Sequence, residues 1–173
     1  AALEATIADI GAKLGLMTQY KPHVVRTDQG RGFIGREFRE FLTERQIQLS
    51  LACTYTPQQN SHVERAWGIV FGTARVLLAA SQLPPSLHPF ALQTAVWITN
   101  RLPRPSRGQK SPFELLSRTL PDLQYLYTFG CLCSVTIPTA TREGDRHFSD
   151  RGLIGLYLGP SEVSPGSVVL TNA

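Results

Sequence analysis

A long apolar stripe constrains this chain more than any other feature. Val63, Ala66, Trp67, Val70, Phe71, Ala74, Leu77 and Leu78 recur at the spacing of one helix face, which predicts a helix to about residue 80. At 100° per residue Glu64 falls on the flank of that stripe and Arg65 turns outward. Upstream, HVVRT after Pro22 reads as a short buried strand, and Asp28 stands at its exit. Phe38, Phe41 and Leu42, at i, i+3 and i+4, predict a helix over residues 36–46, and QLSLA supplies a second strand. Strand, helix, strand is an α/β alternation. The polar segment TYTPQQNS, with Pro57, is a loop.

The flanking regions follow the same rules. Leu3, Ile7, Ile10 and Leu14, followed by Gly15, predict a helix over residues 2–14. PFALQTAVWITNRL predicts another, stopped by Pro103 and a basic loop, RPSRGQK, that reads equally as a linker face. Ser111, Pro112 and Glu114 form a capping box opening a short helix over FELL. From Tyr127 the style changes to short strands, TFGCLCSVTI, GLIGLYLG and SVVLT. A domain boundary is therefore expected near Pro121, dividing residues 1–120 from 121–173, and no internal repeat is present.

The 173 residues are 42% hydrophobic and 17% charged, the latter below the usual share of about 25%, which excludes a disordered chain and suggests surface covered by a partner or a further domain. The net charge of +4 is a mild push toward polyanions, or simply a solvated surface with a slight surplus. Cys53 is isolated, and Cys131-x-Cys133 lacks zinc-ligand spacing, so a reducing compartment is expected. No apolar run reaches the roughly 18 residues of a membrane-spanning helix, so no membrane partner is expected. The first residues lack the features of a secretory signal, and the absence of an initial Met suggests processing or a fragment.

An acid at a strand exit and another on a helix flank are ingredients of a Mg²⁺ site, because hard cations want oxygen ligands converging from separate rigid elements. Asp28 and Glu64 fit that description, although spacing alone leaves both as ordinary turn and helix-surface residues. Tyr55, Gln58, Gln59 and Asn60, in the loop before the long helix, carry amide and aromatic groups suited to a nucleic-acid backbone and splayed bases. Lys21, Arg26 and Arg31 flank the first acid and Arg65 follows the second, where phosphate contact and plain solvation stand level. His62 reads as a helix-start histidine in solvent, His23, His88 and His147 lack ligand spacing, and Trp67 and Trp97 read as core.

The surrounding residues change the balance. RTDQGRGF, 35 intervening residues between Asp28 and Glu64, and then TPQQNSHVERA resemble the last two acids of the D,D-35-E integrase core. The closest likeness is to integrases of copia-type LTR retrotransposons, whose stretches read like SDNGGEF and TPQQNGVAER. NRLP at 100–103, SPFELL at 111–116, PDL at 121–123, FGC at 129–131 and GLIGLYLG at 152–159 resemble that family's successive blocks, in order, over most of residues 23–160.

The resemblance implies a partial RNase H-like fold over residues 1–120 and a small Src-homology-3-like β-barrel over 121–173. It implies that Asp28 and Glu64 are the second and third catalytic acids and hold Mg²⁺ or Mn²⁺ for in-line displacement at phosphorus. The attacker is then water when an element end is trimmed, and a DNA 3′-hydroxyl when that end is joined to target DNA. Implied partners are element and target DNA and further copies of the chain, with no small-molecule substrate, in the nucleus and in cytoplasmic element particles.

The departures carry meaning too. Gln29, Arg31 and Gly32, and Ser61 and His62, replace the family's usual neighbours. Neither the family's first catalytic Asp nor its His/Cys zinc module has a counterpart, since Asp9 lies in the first predicted helix. The chain alone is thus expected to be inactive. The rival expectation is a non-catalytic DNA-binding or assembly module, and an RNase H-type nuclease ranks below both.

Overall fold

The computed structural model describes residues 22–27, 30, 33, 35–51, 61–138, 140, 151–161 and 164–171. The predicted first helix lies outside them, as does the loop before Ser61. Two compact units are present, one within residues 1–66 and 115–119, the other within 67–114 and 120–173.

The first unit is a strand–helix–strand crossover. Strand β1 (Val24–Thr27) pairs in parallel with β2 (Gln48–Leu51), Val24 opposite Gln48 and Thr27 opposite Leu51. Helix α1 (Arg36–Glu44) connects them, because parallel neighbours need a crossover. Its Phe38 and Leu42 are buried with Ile47, against Val25, Phe33, Phe41 and Leu49. The helix ends at Glu44, two residues before the predicted end at Gln46, because Gln46 turns left-handed at φ 57°. The Ile47 N–H then donates to the Leu42 carbonyl at 2.9 Å and the Gln46 N–H to that of Thr43 at 3.0 Å, closing a Schellman motif.

The second unit packs two helices on a sheet. Helix α2 (Ser61–Ser81) runs into this unit, and α3 (His88–Arg101) follows after a 3₁₀ turn at Pro85–Leu87. Short α4 (Pro112–Ser117) is capped as expected, the Glu114 N–H donating to Ser111 Oγ at 3.0 Å. Strands β3 (Leu132–Thr136), β4 (Gly152–Pro160) and β5 (Ser167–Thr171) form an open antiparallel sheet in the order β3-β4-β5. Val70 and Ala74 of α2, Ala91 and Ala95 of α3, Phe129 and Leu158 share one core, so residues on both sides of Pro121 pack together.

Glycines explain how the sheet reaches the helices. Gly159 sits at φ 127°, and a Cβ there would meet Thr94 Oγ1 of α3, which donates to the Leu158 carbonyl at 3.0 Å. A Cβ on Gly155 would lie 2.8 Å from the Leu170 carbonyl oxygen of β5. Gly130, at φ 81°, would place its Cβ 2.6 Å from that of Ser81. The glycines of FGC and GLIGLYLG are therefore sites of close approach. Tyr157, beside them, is buried, and its hydroxyl donates to the Tyr125 carbonyl. Burial, opposed in part by a backbone hydrogen bond at Tyr127, pushes the Tyr157 hydroxyl above its ordinary pKa of 10.0.

A contrast between glycines follows. Gly159→Ala combines left-handed strain with a clash at a buried threonine and is expected to cost about 3 kcal/mol in a urea titration. Gly68→Ala and Gly72→Ala, inside α2 with nothing within 4 Å, are each expected to stabilise by about 0.5–1 kcal/mol.

Candidate functional site

Glu64 lies in the first turn of α2, with its side chain exposed. A helix start is favourable for a carboxylate, because the unpaired N–H groups there carry partial positive charge. Among the described residues Glu64 makes no ion pair. Arg65, beside it, is exposed as the helical projection predicts, and Arg26 is exposed on β1. β1 ends at Thr27, the residue immediately before Asp28.

Asp28 itself lies outside the described residues, as do Lys21, Arg31, Tyr55, Gln58, Gln59 and Asn60. Among the described residues no three His, Cys, Asp or Glu side chains converge as a metal-ligand cluster. Glu64 thus offers one hard oxygen donor of a kind suited to Mg²⁺, open to solvent, and among the described residues no complete ligand set is assembled.

The stripe on α2 divides in two. Val70 and Ala74 are buried, as predicted, while Val63, Trp67 and Phe71 are 55%, 53% and 44% exposed, with Trp67 stacked on Phe71 at 5.2 Å. The core assignment of Trp67 is therefore corrected: α3 and β4 cover only the C-terminal part of the stripe. Trp97 is buried, with the Arg101 guanidinium 3.9 Å above its ring. Among the histidines His62 and His23 are exposed, and His88 is engaged through Nδ1 with the Pro85 carbonyl at 3.1 Å. Cys131 and Cys133 are half-buried, the Cys133 thiol donating to the Gly155 carbonyl at 3.4 Å.

Sequence reasoning missed Thr94, whose hydroxyl ties α3 to β4. Its one signal, a threonine inside an otherwise apolar helix face, is too common to single it out.

No family model matches the sequence. The chain is 32% identical over 107 residues to the retrovirus-related Pol polyprotein from transposon RE1 of Arabidopsis thaliana, a stretch covering 62% of this chain and 7% of that polyprotein. It is 26% identical over 135 residues to that from transposon TNT 1-94 of Nicotiana tabacum, covering 78% of this chain and 10% of the relative. In structure, 98% of the chain matches 62% of a chain from the cryo-EM structure of the simian T-cell lymphotropic virus intasome in complex with PP2A regulatory subunit B56 gamma, with a TM-score of 0.56 at 18% identity. The chain is thus related in sequence to retrotransposon Pol polyproteins, spans a small part of their length, and has a mixed α/β fold of retroviral integrase type with small, open sheets.

The two tryptophans provide a check. With Trp97→Phe, leaving Trp67, acrylamide quenching is expected to be several-fold stronger than with Trp67→Phe, leaving Trp97. Equal quenching would contradict the division of the stripe.

Proposed function

We propose that the chain is the C-terminal part of the catalytic core of a copia-type retrotransposon integrase, followed from Pro121 by part of a small β-barrel. In this reading it contributes Asp28 and Glu64 to a divalent-metal site that trims element DNA and joins it to target DNA in the nucleus. One observation carries the reading: Glu64 is an exposed carboxylate at the start of the long helix, in a chain related to retrotransposon Pol polyproteins.

The chain's own residues would act by placement. Glu64 would offer its oxygens to the ion from the N-terminus of α2, and Asp28 would do so from the exit of β1. A bound Mg²⁺ or Mn²⁺ would supply charge stabilisation at the phosphate and favour the attacking oxygen. Tyr55, Gln58, Gln59, Asn60, Lys21, Arg26, Arg31 and Arg65 would hold DNA beside the acids, largely through its phosphates. Further copies of the chain are the proposed protein partners.

Two acids are too few for the two-ion geometry of such reactions, so this chain by itself is expected to join no labelled DNA end to a target plasmid in Mg²⁺ or Mn²⁺. The same residues within a longer polyprotein segment carrying an upstream catalytic Asp are expected to join ends, and Glu64→Gln to reduce joining to background. Joining by this chain alone, abolished by Glu64→Gln, would contradict the account of its missing acid. An active longer segment indifferent to Glu64→Gln would contradict the role of Glu64.

A further inference from the structure

The turn between α3 and α4 concentrates the charge of the molecule. Arg101, Arg104, Arg107 and Lys110 recur at every third position, and residues 101–110 contain no acid. These four cations equal the net charge of +4 of the whole chain, so the remainder is neutral on balance. Such a segment could be a floppy, solvated linker.

It is instead a built turn. Pro105–Arg107 form a 3₁₀ turn, and Gly108 and Gln109 follow in left-handed conformations at φ 63° and 62°. Arg104 and Lys110 are brought opposite each other as an antiparallel bridge. The Arg104 N–H donates to the Lys110 carbonyl at 3.3 Å, and the Gln109 N–H to the Arg104 carbonyl at 3.1 Å. Arg101 fixes the root, its guanidinium 3.9 Å from the Trp97 ring centre and 4.9 Å from that of Phe113. Beyond that root Arg107 and Lys110 are exposed and Arg104 half-exposed, and among the described residues none of the three pairs with a carboxylate.

We propose that this turn is a phosphate clamp that grips the backbone of duplex DNA through Arg104, Arg107 and Lys110. A backbone already folded into a turn has little left to order on binding, so the cost of a phosphate contact there falls mainly on the side chains. Duplex DNA presents one negative charge per about 1.7 Å of axis, a target that repeated cations match without base recognition. Leu102 is the only large apolar residue exposed between Arg101 and Lys110, too little for the apolar centre of a protein interface. The choice of DNA rests on the function proposed above, whereas the clamp is a separate site on a separate turn.

The experiment follows fluorescence anisotropy of the chain on a labelled duplex of about 20 bp across a salt series. Replacing Arg104, Arg107 and Lys110 together by Gln is expected to weaken binding at least roughly tenfold at low salt and to reduce the slope of log K against log salt by about 2–3. A control carrying Arg36→Gln, Arg39→Gln and Arg75→Gln, with the same loss of net charge, is expected to change the slope much less. An unchanged slope in the clamp variant, or an equal loss in the control, overturns the clamp while wild-type DNA binding leaves the proposed function standing. Loss of polyglutamate binding with duplex affinity intact also overturns it, in favour of an acidic protein surface. A wild-type chain that binds no duplex overturns both.

Discussion

The hydrogen bond from Thr94 to the Leu158 carbonyl is the seam on which the second unit depends. A buried carbonyl without a donor is costly, and a helix can supply one only if it comes very close to the strand. Gly159 permits that approach, since any Cβ there would meet the threonine hydroxyl. Phe129, Val70, Ala74, Ala91, Ala95 and Leu158 then close around the contact as one core. Small residues on the two helices serve the same end, because alanines allow backbones to approach where larger side chains would hold them apart.

Much of this was legible as periodicity. The strands at Val24–Thr27 and Gln48–Leu51, the helices beginning at Arg36, Ser61 and His88, and the capped helix after Ser111 all fall where apolar spacing and end signals predict. The three strands after Tyr127 do so as well. Periodicity identifies an apolar face but is silent on what covers it. Trp67 illustrates the difference, lying on the same stripe as Val70 yet half exposed, because the covering residues of α3 and β4 reach only the later turns. The glycines of GLIGLYLG were readable as a motif, whereas their reason, Thr94 and Leu170 pressing from two sides, exists only once distant segments have packed.

The candidate site shows the same split. A carboxylate at the start of the long helix and open to solvent was readable from residue order, and Glu64 occupies that place. The metal chemistry proposed for it needs a second acid, Asp28, 36 positions earlier, for which local spacing offers only weak support. The ordered motif blocks and the Pol relatives, which place the chain among retrotransposon polyprotein sequences, are what motivate the proposal that the two acids belong to one site. The basic turn is the opposite case. Its charge was plain in RPSRGQK, while the bridge that opposes Arg104 to Lys110 needed two left-handed residues that the sequence does not announce.

The central claim, that Asp28 and Glu64 share one ion, is tested most directly by a double-mutant cycle on Mn²⁺ affinity, read by electron paramagnetic resonance. If the acids hold the same ion, Asp28→Asn and Glu64→Gln each weaken binding, and the double variant is hardly weaker than either single one. Independent, additive losses, or no loss from either substitution, would contradict it.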